Sequence, residues 1–237
     1  MSNRTRRSGL IVTGAALVVG ALVVITAAGV IKGPWSESAQ SARSGQAPAV
    51  STGSILVRVP PGKIVATDKW PHACQLLTDA DLAAVLPDAT EVESLPGAAS
   101  TVTIEEYAVD PAWRRDKRTD EGRCAWNMKL PGERVNAYTT VWIRIVAVAD
   151  PELIRRYHDD QATYRGGGIA PTGLRGGGSC FISSLYAAYL VCAGSALMFE
   201  VGGSTTTDFG DYRAYGYWRD TVLPEFAVAV ASKIRTG

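Results

Sequence analysis

Between residues 137 and 149 apolar and polar side chains alternate with a period of two. Tyr138, Thr140, Trp142, Arg144 and Val146 fall on one side, and Thr139, Val141, Ile143, Ile145 and Ala147 on the other. Successive strand side chains point to opposite faces, so this segment predicts a half-buried strand with the second set inward. Shorter β-prone runs occur at residues 55–59 and 64–66, separated by Pro60, Pro61 and Gly62, and at 101–109 and 124–130. Residues 179–183, 187–192 and 196–201 predict three further strands in meander order. Helical spacing appears in three places. Leu82, Val85 and Leu86 follow Thr78 and Asp81, an S/T-x-x-acid capping pattern, and Pro87 ends the helix. Asp150 and Pro151 open a second helix to about Tyr164, with Leu153, Ile154, Tyr157 and Tyr164 on one side. Pro224 opens a third, whose inner stripe is Phe226, Val230 and Ile234. The order predicts an α+β domain: a mainly antiparallel sheet packed by two or three helices.

One segment departs from both periods. Residues 9–31 form a 23-residue run without a charge, preceded by Arg4, Arg6 and Arg7. At about 1.5 Å per helical residue it reaches roughly 35 Å, enough to cross a hydrocarbon core about 30 Å thick. It exceeds the usual length of a cleavable signal, so a retained signal anchor is expected rather than cleavage near residues 39–42. The arginines preceding it put residues 1–8 in the cytoplasm and the rest outside. Residues 32–54, rich in Ser, Ala, Gly and Pro, read as a flexible linker, and residues 55–237 as the extracytoplasmic domain. The lipid bilayer is thus the first expected partner.

Charge and cysteine content sharpen this. Beyond residue 47 lie 19 of the 24 basic and 22 of the 23 acidic residues, leaving that part near −3, too acidic for a nucleic-acid binder. Four cysteines in an exported domain predict two disulfides, and three pairings are possible. Cys74 with Cys124 and Cys180 with Cys192 is favoured, because the second pair flanks an apolar stretch that can fold back about Tyr186 with an odd-numbered loop or a bulge. No zinc spacing, Cys-x-x-Cys or nucleotide P-loop occurs, so no metal or other cofactor is expected.

The segment HACQLLTDADLAAVLPDA, then GRCAW, then TGLRGGGSCFIS, resembles an actinobacterial family of exported domains of unknown function, often found on cell-envelope lipoproteins. The resemblance spans roughly residues 68–235 and implies that Cys74 and Cys124 form the shared bridge. The chain departs from the family pattern in its membrane span, which replaces a lipidated cysteine, and in Cys180 and Cys192. No activity comes with the resemblance.

Several residues could contact a ligand. Tyr212, Tyr215, Tyr217 and Trp218, beside Phe209, could stack on sugars or partner side chains, or seal a core edge. Arg165 and Arg175 each precede a glycine triplet, a setting in which backbone N–H groups and a guanidinium can cradle an anion. Trp113 with Arg114, Arg115, Lys117 and Arg118 could meet anionic head groups. His158 beside Asp159 and Asp160 is the one base with a carboxylate neighbour, but its helix reads as a surface helix, and Asp79 with Asp81 is explained by capping. No catalytic residue is assigned. The expectation is a non-catalytic module binding an envelope ligand or protein partner. The alternative is a cell-wall-directed enzyme, which would require a pocket where two or more of His72, His158, Asp208 and Asp211 converge.

Overall fold

The computed structural model describes residues 54–102, 116–165, 172–173, 178–183, 189–207 and 209–236. The apolar run at 9–31, the linker before residue 54, Trp113 to Arg115, Arg175 and Asp208 lie outside the described residues, as do the side chains of Lys117, Arg118, Tyr164 and Arg165. No helix of the described residues is long and apolar enough to cross a membrane.

The architecture is α+β. Strands β1 (Ile55–Val57), β2 (Thr90–Val102), β3 (Asp116–Lys129), β4 (Thr139–Val148), β5 (Thr172–Gly173), β6 (Ser179–Ile182), β7 (Tyr189–Gly194), β8 (Leu197–Ser204) and β9 (Ile234–Thr236) are joined by helices α1 (Asp79–Val85), α2 (Pro151–Arg165) and α3 (Leu223–Lys233). Seven strands form one antiparallel sheet in the order β2-β3-β4-β8-β7-β6-β5. The other two, β1 and β9, pair in parallel, with Ile55 opposite Ile234.

Local chemistry accounts for most element boundaries. Thr78 accepts a hydrogen bond from the Asp81 backbone N–H while the Asp81 carboxylate accepts from that of Thr78, a complete capping box. At α2, one carboxylate oxygen of Asp150 accepts from the Glu152 N–H at 2.9 Å, and the other accepts from Gly62 N–H at 3.0 Å. The cap therefore also fastens the Pro60 to Gly62 turn. Helix α3 is preceded by a π-helical turn, Trp218–Val222, and has Pro224 in its first turn, where no donor is lost. Phe226 and Val230 are fully buried as the stripe predicts, but Ile234 has already left the helix and opens β9.

Both disulfides form in the favoured pairing. Cys74 binds Cys124, tying the 3₁₀ turn Ala73–Gln75 to β3, and Cys180 binds Cys192, its direct cross-strand neighbour. The register of β6 against β7 is centred on Tyr186, as the fold-back requires; the loop itself lies outside the described residues.

Helices cover the sheet unequally. On one face α3, α1 and the Ala73–Gln75 turn close over Cys124, Trp126, Met128, Val141, Ile143, Ile145, Phe199 and Val201 in a continuous core. On the other, α2 lays Leu153, Ile154 and Tyr157 on Val146, Phe181, Val191, Ala193 and Met198. Strands β7 and β8 are thus sandwiched between helices. The second face of β2, β3 and β4 has no helix over it among the described residues. Strand β4 shows the transition: alternate residues are buried from Thr139 to Ile145, and after a register shift between Ile145 and Ala147 every residue is.

Two boundaries differ from the sequence reading. Strand β2 begins at Thr90, well before the expected 101, and β3 begins at Asp116, inside the expected polar loop. Residues 90–96 are exposed on both faces of an edge strand, so no alternation marks them. Two register shifts, Pro96 and the positive φ of Glu91 (52°) disrupt that edge, the means by which edges resist pairing with another chain.

Candidate functional site

The uncovered face carries a cleft of about 440 Å³ lined by Ala98, Ala99, Arg123, Trp142, Arg144, Tyr189 and Glu200. The ladder register builds it. One cross-strand row runs Ala125, Trp142, Gly202, Tyr189; the next runs Arg123, Arg144, Glu200, Val191. Gly202 leaves a gap in the first row, and the Trp142 indole lies across it. A Cβ on residue 202 would stand 2.2 Å from the indole, a distance no side chain tolerates. The indole thereby reaches the Tyr189 ring, centroid to centroid 5.7 Å, and the Arg123 guanidinium stands over it at 5.9 Å. Gly203, facing the opposite way, admits Trp218: an added Cβ would lie 3.1 Å from its ring. Adjacent glycines thus seat two tryptophans, one on each face of the sheet.

In the second row Arg144 donates from Nη2 to Glu200 at 2.7 Å. The Glu200 side chain is 4% exposed and that of Arg144 37%, so the carboxylate is the floor and the guanidinium the wall. A buried carboxylate requires such a partner, because an unpaired charge at this depth is costly. The Arg144 Nε is buried and lacks a hydrogen-bond partner. Arg123 contributes a second guanidinium against the single carboxylate, so the described residues of the cleft carry an excess positive charge.

The residues singled out from sequence divide. Trp218 is buried and donates from Nε1 to the Tyr212 carbonyl at 2.7 Å; Tyr212 is also buried, and its ring meets that of Tyr217 edge-on at 5.8 Å. These three close the edge of the main core. Tyr215 and Phe209 are about half exposed. Arg165 ends α2; its side chain, like Arg175, lies outside the described residues.

His158 corrects the surface-helix expectation. It is 1% exposed, its Nε2 lies 3.3 Å from the Val191 carbonyl, and its ring packs on Phe181 at 5.1 Å. Burial pushes its pKa below the usual imidazole value, against the opposing pull of the Val191 carbonyl and Asp159. Ile154, Tyr157, His158 and Gln161 follow i, i+3, i+4, i+7 spacing and are all buried, a stripe legible in the sequence once the flanking charges are set aside. His72 is exposed and pairs with Glu121, so the two imidazoles belong to different places. Asp211 sits on an exposed 3₁₀ turn.

Asp81 has a role beyond capping. Its carboxylate also receives the Lys233 ammonium, and both side chains are 1% exposed, joining α1 to the end of α3. Burial raises the Asp81 pKa, but the hydrogen bonds from Lys233 and Thr78 outweigh it and hold the group below the usual carboxylate range. No protein-family model, curated protein or solved structure matches this chain.

Proposed function

We propose that the chain is a membrane-anchored, extracytoplasmic binding module of the cell envelope without catalytic activity, and that it receives its ligand in the cleft between Arg123, Trp142, Arg144 and Tyr189. The observation that carries this reading is the composition of the cleft. Among the described residues it presents two guanidiniums and two rings, while its one carboxylate, Glu200, is held by Arg144 at 2.7 Å. Such a surface can stack and donate hydrogen bonds, and among the described residues it sets no free carboxylate beside an imidazole for acid–base work. The apolar run with its arginine flank supports the anchor, the two disulfides support an oxidising exterior, and the resemblance to exported actinobacterial domains fits both.

The test uses full-length protein. It should stay with membranes through a carbonate wash, be cut by protease added outside spheroplasts, and, once solubilised in detergent, be retained on isolated envelope material. Trp142→Ala should lower that retention at least tenfold. Recovery in the soluble fraction would overturn the anchored reading, and turnover of envelope material would favour the cell-wall-directed enzyme.

A further inference from the structure

From the geometry of this cleft, and resting on the reading above, we infer that its ligand is an acidic saccharide: a sugar ring takes the place of the Arg123 guanidinium over Trp142, and its carboxylate is held by the displaced Arg123 beside Arg144. Three features lead there. The indole is held broadside in the gap that Gly202 leaves, with Tyr189 beside it. A ring so placed suits a ligand with an apolar C–H face and polar edges, since the cleft is shallow and its lining alternates rings with charges. A wholly apolar ligand calls for a deeper, enclosed, mostly apolar pocket.

The charge balance supplies the second feature. Among the described residues Glu200 is the one carboxylate of the cleft, and Arg144 already neutralises it. Among the described residues Arg123 faces no carboxylate in the cleft, and its guanidinium stands over the Trp142 ring, where an incoming anion meets it. Planar guanidiniums match carboxylate oxygens two at a time, which gives direction as well as attraction. The third is the Arg144 Nε, a buried donor without a hydrogen-bond partner in the same cross-strand row as Arg123, which leaves that row with more donors than acceptors. Ala98 and Ala99 add small side chains to the lining.

The experiment measures binding to detergent-solubilised full-length protein by saturation-transfer NMR and calorimetry. The acidic probes are N-acetylmuramate and tetragalacturonate; the neutral counterparts are N-acetylglucosamine and methyl-esterified tetragalacturonate. The acidic member of each pair should bind about tenfold tighter or more. Arg123→Gln, at an exposed position, should erase that preference while leaving the thermal midpoint unchanged, and Trp142→Ala should abolish binding of both members. Equal binding of acidic and neutral probes would overturn the acidic assignment. No saccharide binding, with envelope retention still dependent on Trp142, would overturn the saccharide class and leave the proposed function standing. Retention indifferent to Trp142 would sink both.

Discussion

The two faces of β4 answer to different demands. One face packs Val141, Ile143 and Ile145, all fully buried, against the layer that holds α3 and the Cys74–Cys124 bridge. The other, two residues' rise away at most, sets Trp142 and Arg144 in an open cleft. Burial fixes the first face through close packing, where lost volume is costly. The second is fixed by register alone, which places a tryptophan beside a glycine and an arginine beside a glutamate. A face specified by packing should fail through stability, and one specified by register should fail through binding.

Four substitutions or conditions break or sharpen that contrast. The largest effect is expected from Lys233→Ala, which leaves the Asp81 carboxylate buried without its ammonium and should cost about 3–5 kcal/mol by chemical denaturation. Lys233→Met, which fills the space, should still unfold early, whereas Asp81→Asn combined with Lys233→Met should recover part of the loss. A double variant no better than either single would show that the pair matters little.

Next comes Gly202→Ala, on the cleft face. The new Cβ collides with the indole, so Trp142 must swing out, at about 1–3 kcal/mol. Envelope retention should fall as far as in Trp142→Ala; retention at the wild-type level would mean that the broadside indole is not the contact.

A smaller effect is gated by pH. His158 has its folded pKa depressed, so between the unfolded value near 6.5 and the lower folded value the unfolded chain binds the extra proton. Stability is therefore complete above about pH 6.5 and declines as pH falls below it. His158→Leu should flatten this decline, and parallel curves for the two proteins would remove His158 as its source. Asp81, also depressed, behaves similarly but lower, its contribution being lost as pH falls through the acid range below about 4.

The smallest stability effect is expected from Arg123→Gln, within about 0.5 kcal/mol, as for other exposed positions. If it unfolds the domain, the division of labour between the faces is wrong.

Much of the packed face was readable from the chain because its signals are local. The capping box at Thr78, the alternation in β4, the Pro224 helix start and the Cys180–Cys192 fold-back each lie within about a dozen residues. The cleft was not readable. Its members come from β2, β3, β4, β7 and β8, and only the ladder register sets Tyr189 and Trp142 on either side of Gly202. A trace existed in Trp142 and Arg144, which are large for the outward positions of a half-buried strand. The Asp81–Lys233 pair was hidden for another reason. Its partners are 152 residues apart, and Asp81 already had a sufficient local role in the cap. His158 was misplaced because Arg155, Arg156, Asp159 and Asp160 make its neighbourhood look solvated.

The parallel pairing of β1 with β9 makes the domain nearly circular. Ile55 and Thr236 stand about 8 Å apart by strand geometry, so a few inserted residues could join them. New termini could then be opened in the turn at 131–137, and a permuted chain would keep every rung of the sheet while presenting its point of attachment on a different side.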